Sequence, residues 1–150
     1  MPTSSRIRRV LVGYDGSRES GDALDLALDV GASLGAAVTV LCVLASTVHL
    51  ETREARSNEE RRERARLEGP LADAHRRASS SGLQLADVMV AGGDPAEVIA
   101  LCAAEHGFDL VVIGSHGLER STHKGLGRVV ERLLGSPRVP VLVASLPEGS

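Results

Sequence analysis

At 150 residues, 43% hydrophobic and 25% charged, the chain has the size and composition of one folded globular domain. A net charge of −3 gives no overall basic field, and Tyr14 and Phe108 are the only aromatic residues, which argues against nucleic-acid binding through phosphate attraction or base stacking. No apolar run approaches the roughly 20 residues that cross a bilayer, so no membrane partner is expected.

The start MPTSSRIRR lacks the apolar core of a signal peptide. Cys42 and Cys102 sit far apart in apolar stretches, a pattern of reduced, buried thiols rather than a disulfide framework or metal knuckle. The expectation is a cytoplasmic protein. A single domain over residues 1–150 is expected, with its core at about 7–145 and loose tails.

In chain order, Ile7–Gly13 is an apolar run closed by glycine and suits a buried strand. From Ser20 to Leu34 apolar residues recur at helical spacing, and Gly35 stands where a helix stops. Val38–Ala45 reads as a β-branched strand. Between 46 and 82, Ser57 and Glu60 suggest a capping box for a charged helix over Glu59–Glu68. Gly69-Pro70 then predicts a break before a second helical piece, Leu71 to about Ser79.

Leu83–Ala91 alternates as a strand. Asp94-Pro95-Ala96-Glu97 is the clearest helix start, and that helix runs to about His106 before Gly107. Asp109–Gly114 is a strand, Leu126–Leu134 a short helix and Val139–Ala144 a last strand, which Pro140 assigns to a sheet edge. Strands alternating with helices imply right-handed crossovers and a parallel sheet covered on both faces. Ligands of such sheets bind beyond the carboxyl ends of the strands, where the winding reverses.

Two loops therefore carry the chemistry. After the first strand comes Gly13-Tyr14-Asp15-Gly16-Ser17, where Asp15 can accept hydrogen bonds from ribose hydroxyls, or Asp15 or Ser17 can cap the next helix. After the fourth strand come Gly114-Ser115-His116-Gly117, nine residues, then Gly127-Arg128. Glycines there let main-chain N–H groups approach a phosphate, aided by the helix N-terminus. The Gly-Lys-Ser/Thr end of a P-loop is missing, and no G-x-G-x-x-G follows the first strand.

Together V-G-Y-D-G-S, D-L-V-V-I-G-S-H-G, Gly114-x2-Gly117-x9-Gly127 and the closing P-V-L-V-A resemble the universal stress protein family over roughly residues 7–145. That resemblance implies an α/β fold: one open five-stranded parallel sheet of order 3-2-1-4-5, helices on both faces, of the adenine-nucleotide alpha-hydrolase-like kind. It further implies an adenine-nucleotide site, ATP first, with AMP or cyclic AMP as alternatives, and Mg if ATP is bound. Asp15 would meet the ribose, and the backbone around Gly13 and Val43 the adenine. Gly114, Gly117, Gly127 and the Val129 backbone would cradle the phosphates, with Tyr14, Ile113, Ser115, His116 and Arg128 also counted in the site.

Where the family motif continues with Ser or Thr, this chain has Arg128. The resemblance also implies a homodimer through Val139–Ala144. Two other functions stay open: a nucleotide-free interaction module, and a slow ATPase or self-phosphorylating protein in which Glu119 or His116 positions water. The histidines show no metal-ligand spacing, and no catalytic residue is assigned.

Overall fold

The computed structural model describes residues 6–44, 50–115, 128–135 and 138–144. Five parallel strands, β1 (Arg9–Gly13), β2 (Ala37–Leu44), β3 (Asp87–Gly92), β4 (Leu110–Gly114) and β5 (Val141–Ala144), lie in the order β3-β2-β1-β4-β5. Helices α1 (Arg18–Leu34), α2 (Arg53–Ser80), α3 (Pro95–Glu105) and α4 (Arg128–Gly135) make the crossovers. The expected fold class and strand order are both observed. β1 pairs with β2 on one side and β4 on the other, so the winding reverses between β1 and β4.

Alternation along the strands builds two apolar layers. Val10, Val12, Val38, Val40 and Cys42 face α1 and α2, where Ala23, Leu24, Leu28, Ala74 and Ala78 complete one core. Leu11, Leu41, Val111 and Ile113 face the other way, onto Ile99, Cys102, Val130 and Leu133 of α3 and α4. The two thiols are unpaired and buried on opposite faces of the sheet. Each fully buried aliphatic side chain contributes about 1.5–3 kcal/mol.

Several helix signals act as expected. Asp94 Oδ2 accepts from Glu97 N at 3.1 Å and caps α3, with Pro95 in the first turn. Gly35 takes φ 67° and closes α1 by donating to Gly31 O.

The 46–82 segment differs from its reading. One continuous 28-residue helix replaces two pieces, and its N-cap is Thr52, whose Oγ1 accepts from Ala55 N at 3.0 Å. Ser57 and Glu60 are interior positions of that helix and form no box at its start. Pro70 does not break it. The residue before a proline is kept out of the helical region mainly by its own Cβ and N–H, and Gly69 has no Cβ.

Other boundaries shift. β3 starts at Asp87, because Leu83 and Leu85 pack from the preceding loop onto the first core instead of entering the strand. β1, β4 and β5 begin at Arg9, Leu110 and Val141, and α1 at Arg18. Pro140 stands just before β5, where its carbonyl accepts from Val111 N at 2.9 Å, and β5 is an edge strand as expected. Among the described residues no helix is long and apolar enough to cross a membrane.

Candidate nucleotide site at the switch point

β1 ends where its glycine is hemmed in: a Cβ on Gly13 would lie 3.3 Å from both Ile113 Cγ2 and Ile99 Cδ1. Tyr14 N then donates to Leu41 O at 3.0 Å, one bond beyond the end of β1. The Tyr14 ring turns into the α1–α2 core, 2% exposed, so only its backbone borders the crevice.

Asp15 follows at the carboxyl edge, half-buried. Its Oδ1 accepts from Ser17 N at 2.8 Å, and its own N–H donates to Ser20 Oγ at 3.3 Å. Ser17, not Asp15, caps α1 by accepting from Ser20 N at 3.2 Å. The carboxylate thus braces its own loop with one oxygen. Its charge is felt at Cys42, whose thiol is pushed up to about 11, chiefly by burial and then by Asp15.

β2 outruns β1. Gly13 is in register with Leu41, yet β2 continues to Leu44. Leu41 O accepts from the β1 side, while Val38 O and Leu44 O accept from Ala86 N and Gly93 N on the β3 side. Peptide groups alternate along a strand, so the N–H and C=O of Val43 point to the β1 side, where β1 has already ended. An amide donor and acceptor therefore face the crevice beside Asp15.

Across the switch point, Ile113 is buried and Gly114 packs against α1. A Cβ there would stand 2.7 Å from Glu19 O and 2.8 Å from Glu19 C, so this glycine is required by the close approach of a helix backbone. Ser115 N donates to Ala144 O at 2.9 Å and continues the β4–β5 ladder. Arg128 opens α4 with its side chain exposed, while Val129 is buried in the second core. His116, Gly117, Glu119 and Gly127 lie outside the described residues. The two loops that flank the switch point are thus brought together as far as Gly13–Ser17 and Ile113–Ser115 reach.

Sequence reasoning missed the support behind this loop. Gly16 adopts φ +86°, and a Cβ on it would meet Pro70 Cγ at 2.7 Å, so α2 lies directly against the turn. Tyr14 Oη donates to Asp73 Oδ2 at 3.3 Å. Asp73 accepts from Arg77 Nε at 2.8 Å and from Arg76, which hold its carboxyl below the usual range. Arg77 Nη1 continues to Asp25 Oδ2 at 2.7 Å on α1. An Asp73–Arg77 pair at helical spacing was legible, but its link to Tyr14 spans 59 residues and carried no local signal.

Among the described residues no three His, Cys, Asp or Glu side chains converge as metal ligands. A groove of about 350 Å³ between α3 and α4 is lined by Glu97, Leu101, Arg132 and Arg138 among others, and by none of the residues at the switch point.

The model of the universal stress protein family matches residues 6–145. The chain belongs to that family. It is 29% identical over 147 residues to the universal stress protein YxiE of Bacillus subtilis (strain 168), covering 90% of this chain and 97% of that one. It is also similar in structure to the hypothetical protein MJ0577, with TM-score 0.82, 21% identity, and 97% and 100% of the two chains covered. A universal stress protein solved in complex with cAMP aligns with TM-score 0.73 at 25% identity, over 93% of this chain and 97% of that one.

Proposed function

We propose that this universal stress protein binds an adenine nucleotide across the β1–β4 switch point, as a single-domain cytoplasmic regulatory protein rather than a turnover enzyme. The observation that carries the reading is the Val43 amide, which faces the crevice beyond the end of β1 next to Asp15. A paired N–H and C=O in that position matches the donor–acceptor edge of adenine, and a neighbouring carboxylate matches ribose hydroxyls. Likeness to a family member in complex with cAMP supports the same ligand class.

ATP is the first choice within that class. Gly114, Ser115, His116, Gly117 and Gly127, with Arg128 and the Val129 backbone, would then border the phosphates, and Mg²⁺ would arrive with them. AMP and cyclic AMP share the adenine and ribose contacts. Calorimetric titration with ATP, AMP and cyclic AMP tests the reading. Asp15→Ala should weaken all three while the protein stays folded, because a loop carboxylate contributes little to the core. Absence of binding by all three nucleotides would leave a nucleotide-free interaction module as the better reading.

A further inference from the structure

The side chains that hold the Asp15 loop from behind belong to α2. Tyr14 precedes Asp15 directly, so anchoring its ring restrains the Cα from which the peptide leading to the carboxylate departs. That ring is buried, and a buried phenol needs a partner for its hydroxyl. Asp73 supplies it at 3.3 Å.

Asp73 is itself fixed, by Arg77 Nε at 2.8 Å and by Arg76. Arg77 reaches on to Asp25 at 2.7 Å and to Gly21 O at 3.4 Å, both on α1. One residue past Asp15, Gly16 rests on Pro70, a single helical turn before Asp73. The loop is thus gripped on both sides of Asp15 by the same segment of α2.

We propose that Asp73 is a positioning residue for the ribose subsite, acting through the Tyr14 hydroxyl to hold Asp15 where it meets the ligand. This rests on the adenine-nucleotide reading above and adds to it a residue that touches no ligand. The mechanism is specific to the ribose end, because the Val43 amide is held by the β2–β3 pairing, independently of Asp73.

The test uses AMP and its 2′,3′-dideoxy analogue, titrated into the wild-type chain and into Tyr14→Phe, Asp73→Ala and Asp73→Asn, with a thermal melt of each. The wild type should prefer AMP by about tenfold or more, the size of a lost hydrogen bond to a charged group. Asp73→Ala and Tyr14→Phe should lose most of that preference while keeping wild-type affinity for the dideoxy analogue. Asp73→Asn retains an acceptor for the phenol and should keep the preference. A purely structural role would instead weaken both ligands together.

An unchanged preference in Tyr14→Phe, which removes only one oxygen, would overturn the proposal even if Asp73→Ala failed to fold. A wild type that binds AMP and the dideoxy analogue equally would overturn the ribose role of Asp15, and this proposal with it.

Discussion

Replacing Gly114 by alanine should destabilise the ligand-free protein, although this glycine heads the loop expected to surround phosphates. The added Cβ would sit 2.7 Å from Glu19 O, 2.8 Å from Glu19 C and 2.9 Å from Glu19 Cβ, all closer than carbon contacts allow. The first two of those atoms belong to the α1 backbone, not to the far end of a flexible side chain. The turn cannot yield cheaply either, since Ser20 is 1% exposed and Ala23 and Leu24 are fully buried just beyond it.

Overpacking of this kind costs about 1–3 kcal/mol, and the double backbone clash argues for the upper half of that range. For a chain of this length each kcal/mol lowers Tm by roughly 2–4 °C, so a drop of about 5–10 °C is expected. Gly92→Ala is the control, because nothing lies within 4 Å of a Cβ at the end of β3. Thermal and urea unfolding without nucleotide are the measurements. Should Gly114→Ala melt with the wild type and Gly92→Ala, the close approach of α1 to β4 is wrong. Any loss of nucleotide affinity in Gly114→Ala would then be a direct effect on the ligand.

Three further outcomes are expected. Tyr14 is the sole tyrosine in a chain without tryptophan, and its hydroxyl is pushed up to about 12 from 10.0, first by burial and then by the Asp73 charge. The folded state favours the neutral phenol, so its contribution to stability is complete below pH 10 and is lost as pH rises toward about 12; phenolate absorbance should therefore appear later in the folded protein than in urea. Arg128→Ser should weaken ATP binding about tenfold if the guanidinium meets phosphate, with a smaller loss at high salt, whereas tighter binding would show that Arg128 obstructs the site. Light scattering at tens of micromolar, a concentration that populates dimers of ordinary affinity, should report a dimer paired along the free edge of β5; a monomer would remove that interface.

Much of the architecture was readable because local chemistry and tertiary structure agree in it. Asp94-Pro95 and Gly35 are helix boundaries for reasons internal to a few residues, and the structure uses them so. The Gly69-Pro70 pair shows the opposite case. Its local reading is a break, but Gly69 has no Cβ and so removes one of the clashes that disfavour a helix before proline, and Pro70 covers Gly16. Leu83 and Leu85 mimic strand alternation because both must reach the same core from a loop. At the site, Asp15 and the Val43 position were accessible from motif resemblance, while the bracing by Asp73 was not. Contacts between a strand end and a helix far along the chain leave no periodic trace.

The sheet is also a partition between two differently reporting compartments. Cys42 lies in the layer under α1 and α2, Cys102 in the layer under α3 and α4, and each is shielded by burial, which raises the pKa of both thiols. A brief pulse of a thiol reagent during unfolding therefore modifies Cys42 when the Asp15 side of the protein opens, and Cys102 when the opposite side does. Mass analysis of the two peptides would time each event separately in the natural sequence, with no probe introduced. Nucleotide that docks at the Asp15 loop should delay the first clock more than the second.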